Sequence, residues 1–330
     1  SEFNQREEDM YPMLYRSGGQ QMTSDGMINV MQGSCYGGGT VINVSDAFDI
    51  PSEVLAHWQR TYGTSEWTEK SLEAPYRRVH RNVNVKRINK SLVNRNNGLL
   101  LETAQKLGWS AEVMHSNRKG CVGSGYCLLG CAYDARLGTN LTYLPWAVEK
   151  GADVYTDVRC DRLERINGSS WRAHCTVVQR GLRTARLPLT IDCERVVLAA
   201  SAIFTPAILL RSGLGDGLPQ LGRNLTLQPQ LGLVGRFDEG DEIVHWRGAP
   251  QSVEVDEFAD NSVERGLGGF RLEGIGGAIG PVMIMTPGFG REHKRFGKYM
   301  RNLSATLLLV PDQPSGAVSY QWAEDGRVTP

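Results

Sequence analysis

The sequence predicts a mixed α+β and α/β fold, with an α/β part and a second, mainly antiparallel part. Three observations carry this. The first is the stretch Val196–Gly215. Val196, Val197 and Leu198 form the short β-branched, apolar run that a buried parallel strand needs. Ala199, Ala200, Ser201 and Ala202 follow, small enough for a bulky group to approach the backbone. Thr205-Pro206 then reads as a hydroxyl N-cap with proline at the first helical position, and Gly213 as the left-handed stop. The second observation is a β-rich meander after Ala152, over Val154–Thr156, Arg159–Ile166, Trp171–Gln179 and Leu187–Asp192. Gly168-Ser169 and Arg180-Gly181 are its turn signals. The third is the alternation of apolar strands and polar breaks across 231–330, at Leu231–Arg236, Gly280–Met285 and Leu303–Val310.

The chain has 330 residues, enough for one large domain or two ordinary ones with a sizeable core. Lys plus Arg and Asp plus Glu number 36 each, so the formal net charge is zero. With no long basic run, a nucleic acid or an anionic membrane has no electrostatic support as a partner. No apolar stretch approaches the length of a membrane span, and no signal-peptide pattern opens the chain. A first residue other than Met fits a fragment or a processed form. Seven Cys, three of them clustered, do not resemble a secreted disulfide framework, which favours a cytoplasmic setting and otherwise leaves localisation open.

In chain order, residues 1–32 are polar and dotted with Gly, and Met27–Met31 reads as a strand. It runs into Gly33-Ser34-Cys35-Tyr36-Gly37-Gly38-Gly39-Thr40-Val41-Ile42-Asn43, a glycine-rich loop whose backbone N–H groups can face an anion or a flat ring. A plain flexible loop is one reading. A Cys version of the hydrolase nucleophile elbow, Gly33-x-Cys35-x-Gly37, is another, but Gly37–Gly39 makes a poor start for the helix it requires. Pro51–Gly63 is a helix with Val54, Leu55 and Trp58 as its stripe and Gly63 as its stop. Glu66–Arg95 reads as basic, solvated, amphipathic helix, and Asn97–Gly108 as a helix with Leu100, Leu101, Ala104 and Leu107 inward. Gly120–Arg136 carries Cys121, Cys127 and Cys131 among glycines, a spacing suited to metal or cluster ligation or to a disulfide. Gly274-x-Gly276-x-x-x-Gly280 mimics a dinucleotide fingerprint, but the adjoining Pro281–Met285 reads as strand where that motif needs a helix.

The run Ser201-Ala202-x-x-Thr205-Pro206-x-Ile208-Leu209-x-x-Ser212-Gly213-Leu214-Gly215 resembles a signature of the glucose-methanol-choline (GMC) family of FAD-dependent oxidoreductases. Leu221-Gly222-Arg223-Asn224-Leu225-x-x-Gln228-Pro229 resembles the family's continuation of that signature, except that the family usually has His before that Pro. Gly37-Gly38-Gly39-Thr40-x-x-Asn43 is similar to the family's flavin-lining loop, in the right order and at a plausible separation. The resemblance covers most of the chain. It implies a partial FAD-binding domain (1–65 and 120–230) with a mainly antiparallel substrate domain (66–119 and 231–330). It implies FAD as cofactor, with Gly37, Gly38, Gly39, Thr40, Asn43, Cys160 and Ala200 lining its site. The implied chemistry is oxidation of a CH–OH group of an alcohol or sugar, a base taking the hydroxyl proton as hydride passes to flavin N5. No G-x-G-x-x-G unit lies ahead of Gly33, and the catalytic His is expected beyond Pro330. None of His57, His80, His115, His174, His245 and His293 matches a catalytic position, so all six read as structural or surface residues.

The spacing of Cys121, Cys127 and Cys131 further resembles that of three ligands to a [3Fe–4S] cluster in one branch of the family. Such a cluster implies an electron-transfer partner. The competing view is three buried or disulfide-paired thiols holding a loop. Against the enzyme stand two other classes: a non-catalytic α+β binding module or subunit, and the Cys-nucleophile hydrolase.

Overall fold

The structure is a computed structural model. It describes every residue except 1, 179–185, 260–268, 278, 287, 323–327 and 330. The turn at Arg180-Gly181 lies outside the described residues. In chain order come α1 (Glu7–Leu14), α2 (Ser52–Tyr62), α3 (Glu69–Asn82), β1 (Val85–Arg87), α4 (Arg95–Lys106), β2 (Ala111–Val113), β3 (His115–Asn117) and α5 (Tyr143–Glu149). The meander comes next as β4 (Val158–Ile166), β5 (Ser170–Val178) and β6 (Arg186–Cys193), then α6 (Ser201–Arg211) and β7 (Arg223–Leu225). The last part holds β8 (Gln230–Arg236), β9 (Val253–Val255), β10 (Arg271–Gly274), α7 (Ile279–Met285), α8 (Gly290–Gly297), β11 (Leu303–Leu309) and β12 (Gly316–Ala317). The chain forms two compact units, one of residues 1–152 and 228–311, the other of 153–227 and 312–330.

The first unit is built on the antiparallel sheet β2-β9-β10-β11-β8. Its strand β9 is buried along its whole length. α4 covers the sheet through Leu100 and Leu101, which pack with Ile88, Val113, Met114, Ala249 and Val253. Leu107 is exposed, against expectation, because α4 ends one residue before it. A second apolar cluster joins Met10, Leu14 and Tyr15 to Val41, Ile42 and Leu129. It rests on α1, a helix the sequence does not announce, since Pro12 sits inside it, although its acidic first turn suits a helix N-terminus. Met27–Met31 is not a strand: its only ladder contact is the isolated bridge Met22–Asn29.

α4 is fixed to the sheet by three asparagines. Asn94 caps the helix by accepting from Asn97 N, and donates to the carbonyls of His245 (3.2 Å) and Arg247 (2.8 Å). Asn96 Nδ2 donates to the carbonyls of Ile275 (2.8 Å) and Ala305 (2.9 Å), and its Oδ1 accepts from Ser304 Oγ and Ala305 N. Asn97 Oδ1 accepts from Ser252 N (3.0 Å) and Val253 N (3.1 Å), while its Nδ2 donates to Asn94 Oδ1 and Pro250 O. Both Asn96 and Asn97 are buried with their hydrogen-bonding capacity filled.

Pro281–Met285 is helical, within α7, and not the strand the sequence suggests. The fingerprint still fails, for a different reason: its glycines are pressed against protein. A Cβ on Gly274 would stand 2.5 Å from Asn97 Oδ1, one on Gly276 1.9 Å from His245 O, and one on Gly280 1.8 Å from Glu7 Oε2. Glu7 also accepts from Gly280 N at 3.0 Å, at the start of α7. No backbone face is left there for a phosphate. Gly276→Ala is therefore expected to cost about 3 kcal/mol or more, since neither the carbonyl nor the Cβ can move aside. A urea midpoint within error of wild type would refute this packing.

In the second unit β4, β5 and β6 form the expected antiparallel meander. Val154–Thr156 does not join it. α6 packs on β4, where Ser212 Oγ accepts from Leu163 N at 2.8 Å. The run Val196–Leu198 departs most from expectation. It belongs to no ladder among the described residues, and Val197 is 90% exposed. The helix after it begins at Ser201 with Ala200 as N-cap, so Thr205 and Pro206 lie inside it. Thr205 Oγ1 accepts from Ala200 N at 3.0 Å, and so ties back the turn it was expected to begin. Gly213 does end the helix, with φ of 66°. All the paired strands described are antiparallel, so the α/β part shows no parallel sheet among the described residues.

Candidate functional site

Of the site residues the sequence proposes, Gly37, Gly38, Gly39, Thr40 and Asn43 stand together in the first unit. Cys160 and Ala200 lie in the second. The loop reaches its shape through Gly37, whose φ of 95° a side chain would strain. The chain then makes a single 3-10 turn over Gly38–Val41. The underside of this turn is filled. A Cβ on Gly33 would meet the Gly38 carbonyl carbon at 2.6 Å, and one on Gly37 would meet Val41 Cγ2 at 2.7 Å. The other side is open: a Cβ on Gly38 or Gly39 meets nothing within 4 Å. Gly39 and Asn43 are exposed.

Hydrogen bonds hold the turn rigidly. Thr40 Oγ1 lies 2.7 Å from Gly37 O and 2.9 Å from Thr139 Oγ1, and it accepts from Thr139 N at 2.9 Å. Thr139 Oγ1 donates to Gly37 O at 3.1 Å. Asn43 Oδ1 accepts from Ser45 N at 3.2 Å. Arg136 donates to Asn43 O and, at 2.9 Å, to Cys127 O, and Arg118 donates to Val44 O. Thr139, Arg118 and Arg136 are absent from the sequence-derived site. Their separation from the loop by 74 to 102 residues hides them. The Gly138-Thr139-Asn140 turn is the one local hint.

The same geometry disposes of the nucleophile elbow. Cys35 Sγ is 3.6 Å from Gly38 O and packs against the Met10–Leu14 cluster, and no α-helix directly succeeds it. Cys121, Cys127 and Cys131 line one small cavity, together with Arg118 and Arg136. All are free thiols. Cys121 Sγ accepts from Gly123 N at 3.4 Å and Cys131 Sγ from Ala135 N at 3.3 Å. Burial pushes the Cys127 thiol up, against the pull of the two guanidiniums. Among the described residues no three His, Cys, Asp or Glu side chains are arranged to hold a metal ion.

In the second unit Cys160 is half-buried on β4, opposite Cys175 of β5. Burial, reinforced by Cys175, pushes its thiol up to about 11. His80 pairs with Asp49 at 2.9 Å and His174 with Glu164 at 2.7 Å. His245 is fully buried with both ring nitrogens unpartnered, and burial lowers it to about 4, so the ring is neutral.

Three acids crowd the sheet beside the loop's exit. Glu254 and Glu273 face each other across β9 and β10, and Glu254 pairs with Arg271 at 2.8 Å. Burial pushes Glu273 up to about 8, helped by the charges of Asp46 and Glu254, and pushes Asp46 up to about 7. Both carboxyls thus hold protons in the folded chain at pH values where the unfolded chain has lost them. Folding stability should accordingly be full only at about pH 4, where the unfolded carboxyls are still largely protonated, and fall as pH rises to about 7 to 8, above which these two groups change it no further. Urea midpoints at about pH 5 and about pH 8 check this, and Glu273→Gln should remove much of the loss. A midpoint that climbs with pH would contradict it.

No helix among the described residues is long and apolar enough to cross a membrane. A family model described as GMC oxidoreductase matches residues 11–230. An uncharacterized GMC-type oxidoreductase of Mycobacterium tuberculosis is 32% identical over 311 residues, covering 94% of this chain and 47% of that relative. A long-chain-alcohol oxidase of Arabidopsis thaliana is 29% identical over 239 residues, covering 69% of this chain and 31% of that protein. The crystal structure of a formate oxidase superposes with a TM-score of 0.60 at 13% identity, covering 92% of this chain and 66% of that one, a likeness of fold. The chain spans about half the length of the Mycobacterium relative it matches. With the family model taking in the open glycine turn, the Cys loop, the meander and α6 alike, this chain belongs to the GMC oxidoreductase family.

Proposed function

We propose that this chain forms the flavin-site wall and much of the substrate part of an FAD-dependent oxidoreductase acting on the CH–OH group of an alcohol. The observation that carries the reading is the turn Gly37–Asn43, rigid beneath and open above Gly38 and Gly39. That is the cradle a flat ring needs, and a side chain there would fill it. In this reading Gly37 to Thr40 and Asn43 border the ring system, the strand near Cys160 offers backbone to the adenine end, and Ala200 also belongs to the cofactor site. Residues 1–65 and 120–230 then belong to the flavin part, 66–119 and 231–330 to the substrate part. FAD supplies, when bound, the acceptor at N5 for the hydride that leaves the alcohol carbon. Thr40 and Thr139 keep the backbone of the turn from collapsing into the space above it. Arg118 and Arg136 hold the carbonyls of Val44 and Asn43 where the chain leaves the turn. No residue of this chain is assigned the role of proton-accepting base. An alcohol donor is favoured by the named Arabidopsis relatives.

Cys121, Cys127 and Cys131 are read as structural thiols that shape the loop beneath the turn. A [3Fe–4S] cluster has no support in their arrangement among the described residues.

The 330-residue chain alone should bind FAD weakly and oxidise no alcohol. It carries no G-x-G-x-x-G unit ahead of Gly33, so the backbone donors and helix end that fix a pyrophosphate are missing from it. Lack of a base costs about 10²–10⁴-fold more in rate. Stoichiometric FAD or turnover by the isolated chain would overturn this division of labour. A complete protein that purifies without flavin, and takes none up, would favour the binding-module alternative.

A further inference from the structure

We propose that a single halide-sized inorganic anion binds between Arg118 and Arg136, in the cavity walled by Cys121, Cys127 and Cys131. Two guanidiniums are buried at this place, Arg118 with 8% and Arg136 with 4% of its surface exposed. A buried positive charge is costly unless an anion or a full set of acceptors meets it. Neither guanidinium has a carboxylate within ion-pairing distance among the described residues. Arg136 directs Nη1 to the carbonyls of Asn43 and Cys127. Arg118 directs Nη2 to Val44 O, and its Nε and Nη1 remain buried without any partner. Donors left in that state each cost about 1–3 kcal/mol, more when charged.

The neighbouring groups do not supply the missing charge. Asp46 is the acid that feels Arg118, but its Oδ1 also stands unpartnered and burial raises its carboxyl to about 7. Burial likewise raises the Cys127 thiol, so a sulfur that feels both guanidiniums is held neutral. Like charge meets like: Arg118 lowers Arg136, on top of the larger effect of burial. The cavity itself is small, about 10 Å³. That favours a compact monatomic anion over phosphate, sulfate or a carboxylate ligand. A halide is small enough, carries the required charge, and meets weak S–H donors on the cavity's other side. The same two guanidiniums donate to the carbonyls of Asn43 and Val44, so an anion between them would brace the exit of the turn through those two side chains.

The test uses the full chain kept reduced with dithiothreitol. Thermal unfolding is followed in sodium chloride, sodium bromide and sodium gluconate at one fixed ionic strength. The proposal predicts a rise of about 3 °C in chloride or bromide over gluconate, as expected for tenfold excess over Kd. Arg118→Met should abolish the rise while melting in gluconate no lower than a few degrees below wild type. An equal midpoint for wild type in all three salts overturns the proposal. So does the same halide rise in Arg118→Met, which would place the anion elsewhere on the surface. Should Arg118→Met not fold, a bromide-soaked crystal of the wild-type chain decides: an anomalous peak between the two guanidiniums supports the site, and its absence refutes it.

Discussion

Asn97→Ala is expected to abolish the native fold of the first unit or to lower its stability by about 4 kcal/mol or more. The asparagine is completely buried, and truncation strands Ser252 N, Val253 N and Pro250 O at once in the heart of the sheet. Each buried group left without a partner costs about 1–3 kcal/mol. Against a total stability of about 5–15 kcal/mol, that loss takes a large share of what holds a domain together. Urea unfolding followed by tryptophan fluorescence measures it. A shift below about 1 kcal/mol would mean that the asparagine network is not what clamps α4 to the sheet.

Gly39→Val should do the reverse: leave the chain's stability almost untouched and abolish flavin loading in the complete protein. The first half rests on the open space above Gly39, where a side chain meets nothing within 4 Å and no left-handed φ is required. The second half rests on the proposal that the ring system occupies that space. Gly37→Val is the contrasting variant. It must strain a left-handed residue and collide with Val41 Cγ2 at 2.7 Å, so it should damage fold and flavin binding together. The two variants separate a loop that is glycine-rich for packing from one that is glycine-rich for a ligand. If Gly39→Val loads flavin normally, the turn is not the wall of the flavin site.

The meander and the strands at Leu231–Arg236 and Leu303–Val310 were legible in the sequence, because β-forming runs broken by turn signals survive in the order of residues even where, as in β8, the strand is exposed along its length. Pro51–Gly63 was legible for the same kind of local reason, with Gly63 at φ of 67° ending α2. Val196–Leu198 misleads because β-branched composition describes a strand's side chains and not its partner, and no ladder meets this run among the described residues. Ile279–Met285 misleads because an unbroken apolar run has no period, so helix and strand read alike until Glu7 meets its first turn. The supports of the candidate site were the least legible. Thr139, Arg118 and Arg136 reach the glycine turn across long stretches of chain, and Asn96 and Asn97 reach the sheet across separations of 209 and 155 residues, too far for any local pattern to register. A polar residue's tertiary partner leaves no trace in its neighbours along the chain. The glycine turn itself was visible because backbone conformation at Gly37 demands that residue type locally.

The most direct test of the central claim is the flavin-to-protein ratio of the complete protein, read from its visible absorbance, for wild type and Gly39→Val purified side by side with matched unfolding midpoints. A ratio near one for wild type and near zero for the variant is the result predicted for a flavin resting on Gly38 and Gly39. Equal ratios in two equally stable proteins would contradict it.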